Sequence, residues 1–460
     1  MRYPSAKSVC FRIGALLWIC LSGVIAAQES GHAGHHEESA SAIAAESVPY
    51  SIGDTYPSLP GSFQPTNPQR LFNAGYDNGI FLKVQERDKS FELKTNLRSQ
   101  FRVVSFSRRE DSWTDSAGVE RPIEDRRNFD IERLRLIFSG HAFTPELKYL
   151  VQFDGDTDSR SQVSVIDGWA AWHFSDRFEL QLGKRKVPGS RNWMLGAFDT
   201  RLADRPFANE FFRPSRTIGV WAVGDPTDKT HYELMIGQGF NTEGLTPAET
   251  GNNFATALTT WWDVIGDYGP GRPTDFEFHD DLAVRIGASW VTSIEGTPGQ
   301  QLEEADFLRL TNGTRVTDPG AMAAGATVES FDVTLLALDT AFKYRGISAN
   351  AEYFWRSVTG LKANLPVPDV GLQHGGYIEG GFFVLPKELE LNSQLAFVTG
   401  KAGSRSSYAT GFSYYPRNSQ FLKLTLDATL IDGSPVNSTG SDILVGDDGV
   451  LVRAQCQVVF

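Results

Sequence analysis

From Phe91 to Val103 the chain alternates. Phe91, Leu93, Thr95, Leu97, Phe101 and Val103 share one parity, and Glu92, Lys94, Asn96, Arg98, Gln100 and Arg102 the other. A period of two is that of a β-strand with one apolar and one polar face. The rhythm returns in Leu147–Asp154, where Leu147, Tyr149, Val151 and Phe153 alternate with Lys148, Gln152 and Asp154. Counted from Phe91, the pattern predicts sixteen strands, at approximately 91–105, 129–143, 147–154, 164–174, 178–186, 217–225, 231–240, 281–291, 304–312, 331–343, 346–358, 375–385, 388–399, 406–416, 420–430 and 449–460.

The connections between them alternate in length. Thr144–Glu146, Ser175–Arg177, Pro226–Thr230, Tyr344–Arg345, Pro386–Lys387 and Pro416–Ser419 are tight, whereas 106–128, 187–216, 241–280, 313–330, 359–374 and 431–448 are long. Short turns at one end and long loops at the other form the pattern of an outer-membrane barrel. Its strands meet lipid with one face and a wet lumen with the other, and closure satisfies every backbone group. A soluble sandwich or propeller gives no reason for the asymmetry. The expected fold is therefore all-β, a 16-stranded antiparallel transmembrane barrel over 79–460. Trp169, Trp172, Trp221, Trp355, Tyr353, Tyr408, Tyr414 and Tyr415 fall on these strands, which suits aromatic girdles and equally an aromatic core.

The N-terminus reads as a secretory signal over 1–27, with Arg2, Lys7 and Arg12 before the apolar run Ile13–Val24 and small residues at Ala26–Ala27. An uncleaved anchor is the alternative, but the run is short for a spanning helix. Removing 1–27 takes the formal net charge from −13 to −16 and leaves Cys456 as the remaining cysteine, so no internal disulfide can form. An acidic chain of this kind does not bind nucleic acid through its overall field. Residues 28–78 read as a flexible periplasmic lead, and His32, His35 and His36 within it as a solvated tail rather than a metal site.

One stretch runs against the acidic balance. From Lys184 to Arg216 there are eight basic residues (Lys184, Arg185, Lys186, Arg191, Arg201, Arg205, Arg213 and Arg216) against Asp199, Asp204 and Glu210. Such a positive island in or near a barrel's bore points to electrostatic selection of anions. Arginine suits phosphate because its planar fork donates two parallel hydrogen bonds. The competing reading is that these arginines pair with the three acids and pin the segment to the wall. Arg98, Arg102, Arg133, Arg135 and Arg453 lie on polar strand faces and should point into the lumen, as path residues or as ordinary lumen charges. Neither a G-x-S-x-G nor an H-E-x-x-H motif accompanies His141, His173, His231, His279 and His374, so an enzyme, a metal site and a cofactor are not expected.

FDIERLRLIFSG, ELKYLVQFDGD, VIDGWAAWHFSDRFELQLGKRKVP, FFRPSRTIGV at Phe211–Val220 and the terminal Phe460, in this order and spacing, resemble the phosphate-selective porin O and P family. The resemblance covers roughly Gly79–Phe460. It implies a homotrimer in outer-membrane lipid, a third long loop (Val187–Arg216) folded inward as a constriction, and passage of small anions such as phosphate or polyphosphate. It also implies that Phe460, closing an alternating strand, engages the barrel-assembly machinery. The alternatives are a non-selective diffusion porin and a non-conducting structural or adhesive barrel working through its long loops.

Overall fold

The computed structural model describes residues 70–156 and 162–460. The signal, the leading histidines and most of the expected lead lie outside the described residues. Strands run in chain order as β1 (Arg70–Tyr76), β2 (Ile80–Glu86), β3 (Lys89–Arg108), β4 (Ser112–Thr114), β5 (Glu120–Pro122), β6 (Arg126–Ala142), β7 (Thr144–Gly155), β8 (Val163–Ser175), β9 (Phe178–Lys186) and β10 (Arg216–Thr227). The second half follows as β11 (Thr230–Gly237), β12 (Ala255–Ile265), β13 (Ala283–Gly296), β14 (Val328–Tyr344), β15 (Ile347–Ala363), β16 (Gly371–Leu385), β17 (Leu389–Gly400), β18 (Gly403–Tyr414), β19 (Leu422–Asp432) and β20 (Gly449–Val459). Sixteen of them, β3 and β6 to β20, pair antiparallel in chain order, and β20 returns to β3 to close a barrel. β4 and β5 form a small separate hairpin inside the first long connection.

Side chains alternate around the wall as the sequence pattern requires. On β20, Arg453, Gln455 and Gln457 are buried while Val450, Val452, Ala454 and Val458 reach the outer surface. On β14, Leu335, Ala337, Ala341 and Lys343 are buried, and Leu336, Leu338 and Phe342 are exposed. Leu182, Ile236 and Ile378 stand more than half exposed, at 53 %, 55 % and 55 %. An outer face covered with such residues is stable against hydrocarbon and costly against water.

The seam is built on one long strand. The first half of β3 pairs with β2, from Lys89↔Glu86 to Thr95↔Ile80. Its second half pairs with β20, from Arg98↔Val459 to Arg108↔Gly449. Between the two, Leu97 exchanges backbone hydrogen bonds with Phe460, at 2.6 and 2.9 Å. The terminal residue is thus the last rung of the closing ladder. Upstream, β1 shows that Arg70–Tyr76, at the end of the expected lead, is a strand of a hairpin with β2.

Two strand expectations are corrected. Residues 304–312 are not a strand: Glu303–Phe307 is a 3-10 turn, and the chain after it is irregular, with Leu308 and Leu310 buried under the loops. Their spacing of two is satisfied by packing beneath a loop rather than on a wall. Conversely, Ala255–Ile265, expected to be loop, is β12, paired with both β11 and β13. Thr and Trp occur on both of its faces, so the contrast between them is faint. The two errors cancel in the count. They also split the expected 241–280 loop into a long-end connection at 238–254 and a second one at 266–282, on the short-turn end.

A short helix, Phe207–Phe212, between β9 and β10 packs Phe207, Phe211 and Phe212 into a cluster with Trp221, Met235, Phe240, Val291, Phe331, Val333, Leu335, Phe354 and Val398. Phe212 stacks on Phe354 at 5.2 Å. Gly375 makes room: a Cβ there would lie 2.9 Å from the Phe212 ring and 2.2 Å from the Phe397 carbonyl.

Candidate functional site

The connection 187–215 leaves β9 and bonds to inward-facing residues of several distant strands. Glu352 on β15 accepts from the Arg191 N–H (2.8 Å), the Asn192 N–H (3.4 Å) and the Ser190 hydroxyl (3.0 Å). It thereby satisfies donors at the start of the helical turn Arg191–Met194, where orphan N–H groups gather. Further on, Asp427 on β19 accepts from the Ala203 N–H at 2.8 Å, and Lys423 donates to the Thr200 carbonyl at 2.5 Å. Gln457 on β20 donates to the Phe198 carbonyl at 2.9 Å.

Beside this segment lies a cavity of about 490 Å³, bounded also by β6, the 297–327 loop and the 433–448 loop. Its lining carries eight basic side chains: Arg133, Arg135, Lys186, Arg205, Arg213, Arg216, Arg309 and Arg315. Four acids line it as well: Asp204, Glu210, Glu243 and Asp306. Trp193, 4 % exposed, is also part of the lining. Arg213, Lys186, Arg205 and Arg216 stand 3.9, 4.7, 5.3 and 5.3 Å from its ring centroids. Cation–π contacts hold guanidinium groups in place without cancelling their charge. Lys186 and Arg205 form no ion pair among the described residues. Lys186 donates to the Trp193 and Leu195 carbonyls (both 2.8 Å), and Arg205 to those of Asn192 (3.2 Å) and Leu195 (2.9 Å). Burial, with Arg213 and Arg133 nearby, brings Arg205 down to about 10 against the pull of Asp204 and Glu210, so it remains cationic at neutral pH.

Not all of the expected residues meet there. Lys186, Arg205, Arg213, Arg216, Arg133 and Arg135 do. Arg213 and Arg216 also have carboxylate partners, Glu210 for the first (2.8 Å) and Asp167 and Glu243 for the second (3.0 and 3.2 Å). Arg133 and Arg135 pair with Asp204 (2.9 Å) and Asp154 (2.8 Å).

Five others lie away from the cavity and are neutralised. Arg201 is sunk against Glu390 at 2.8 Å, Arg185 against Glu233 at 2.7 Å, and Arg191 against Asp339 at 3.2 Å. Arg453 pairs with Asp427 at 2.9 Å. Arg102 meets Asp442, Asp204 and Glu132 at 2.7, 3.1 and 3.2 Å. Asp204 therefore joins two strand arginines to the segment. Burial alone would raise its carboxyl, but Arg133, Arg102 and Arg205 hold it well below the usual range. Lys184 lies one residue out of phase with Arg185 and donates to the Val165 carbonyl at 2.9 Å. Arg98 lines a second cavity, of about 350 Å³, with Phe198, Asp199, Arg272 and Lys423.

Sequence reasoning missed Trp193, Phe198, Arg309 and Arg315. Arg309 falls within the stretch read as a strand, which hid it as a loop residue. Two groupings bring three metal-ligating atoms within 4.8 Å of one another, Asp275–Glu277–His279 and Asp130–Glu132–Asp442. In the second, Arg102 already counters Glu132 and Asp442. In the first, Asp275 accepts from Gly346 N–H at 2.8 Å and bonds the His279 ring at 2.5 Å.

The profile of the phosphate-selective porin O and P family matches residues 110–460. The chain belongs to this family. Among solved structures, an anion-selective porin from Comamonas acidovorans superposes on this porin with a TM-score of 0.51 at 12 % identity, covering 80 % of this chain and 99 % of that one. OmpF of Salmonella typhi, solved as a complex with daunomycin, gives 0.50 at 12 % identity, covering 84 % of this chain and 100 % of that one. A comparison with curated proteins found no match. Family and fold are those of an outer-membrane channel rather than an enzyme.

Proposed function

We propose that this porin forms a water-filled channel for small anions, with phosphate or polyphosphate as the first solutes to test, and that 187–215 is its constriction. The observation that carries this reading is the larger cavity: eight basic and four acidic side chains, in a chain of formal net charge −13. A cationic lining in a low-dielectric wall concentrates anions and repels cations. The proposed path runs from Arg309 and Arg315, past the cations around Trp193, to Arg133 and Arg135, and on to Arg98. The fold likeness to a porin that is anion-selective agrees with it. Arg102, Arg185, Arg191, Arg201 and Arg453 are assigned to holding the wall and segment together. Export by a signal cleaved after Ala27, assembly through recognition of Phe460 and a homotrimeric state complete the proposal.

Single-channel recording of the purified protein in planar bilayers tests it. Stepwise conductance in chloride is expected, falling as phosphate is added and occupies the cationic cavity. A protein that gives no steps contradicts the channel. Chloride currents indifferent to phosphate remove phosphate from the solutes and leave the small-anion channel.

A further inference from the structure

We propose that Phe198 is an aromatic partition in the pore. Resting on the anion-channel reading, the inference is that an anion crosses past this ring when it passes from Arg135 to Arg98. Two charged cavities adjoin here without a shared lining residue. The larger, about 490 Å³, ends at Ala197, and the smaller, about 350 Å³, begins at Phe198. Arg135 belongs to the first and Arg98 to the second. Their guanidinium carbons stand 5.8 and 5.9 Å from the same Phe198 ring. The ring is 5 % exposed, so it fills the space between them.

The backbone at this point is fixed by hydrogen bonds. Gln100 donates to the Ala197 carbonyl at 3.3 Å and Gln457 to the Phe198 carbonyl at 2.9 Å. The two amides also bond each other at 2.9 Å. Outside that clamp stands the ring itself. It is held by two cations rather than by hydrogen bonds, and an arriving oxyanion offers those cations a stronger, charge-assisted partner. Arg98 is suited to the exchange: it forms no ion pair among the described residues, and its buried Nε has no hydrogen-bond partner among them. Asp199, which lines the same cavity, is itself paired with Arg272 at 3.0 Å. A bare aromatic face also excludes water, the means by which an apolar constriction limits flow.

The test is single-channel conductance of the full-length protein in planar bilayers with Phe198→Ala, Phe198→Leu and Phe198→Trp. Phe198→Ala joins the cavities and should raise conductance roughly two-fold or more, with the sign of the reversal potential unchanged because every cation remains. Phe198→Trp should lower it. Phe198→Leu keeps apolar bulk and should raise it less, and this variant carries the test if the alanine protein does not fold. If wild type conducts and the folded variants match it, the partition is overturned. If wild type itself gives no steps, the channel reading falls instead.

Discussion

Arg201 and Arg205 are four positions apart and look alike in the sequence. One is sealed against Glu390, a partner 189 residues away, and the other lines the cavity with no carboxylate of its own. The island of eight cations was legible because it is local. The sorting of its members was not, because each partner is contributed by a strand far along the chain. The two roles separate by measurement. Arg201→Ala leaves Glu390 buried and unpaired, so stability should fall by about 3–5 kcal/mol in thermal or denaturant unfolding with anion preference unchanged. Arg213→Ala removes the cation nearest Trp193 and should shift the reversal potential toward zero with a smaller effect on stability. Asp204 adds a pH dependence. Its folded value is depressed, so its contribution is complete above the ordinary Asp value of about 3.9 and is lost as pH falls through the lower folded value. Acid melting below pH of about 4 should therefore be steeper in wild type than in Asp204→Asn.

At the scale of elements, strands with strong contrast between faces were read to within a few residues; β9 at Phe178–Lys186 and β20 at Gly449–Val459 are examples. β12 was missed because Thr and Trp occur on both parities, and a wall packed against an apolar cluster on its buried side does not need polar residues there. The apolar cluster around Phe207–Phe212 explains this: the segment buries hydrophobic side chains against β10 to β17 and turns its charged side toward the cavity. What fixes its start is Glu352, with its hydrogen bonds to Ser190, Arg191 and Asn192. Glu352→Gln keeps the shape and weakens the acceptor. Amide hydrogen exchange at Arg191 and Asn192 should accelerate while exchange within β15 and β16 stays as in wild type. Uniform acceleration across the barrel would contradict a local clamp.

At the scale of the whole molecule, the alternation pointed to a barrel of sixteen strands, and the closure of β20 on β3 bears out the closed barrel, while the 266–282 connection breaks the expected short-turn end. How the seam is finished was out of reach, since nothing local says that Leu97 meets Phe460 or that β2 takes over the rest of β3. The central claim concerns the molecule as a conductor: an acidic protein passes anions because its cavity holds more cations than carboxylates. The reversal potential of the purified protein under a salt gradient measures this most directly. The expected sign is that of anion preference, weakened by Arg213→Ala and unaffected by Arg201→Ala. A potential of the opposite sign, following the net charge of the chain rather than that of the cavity, would contradict it.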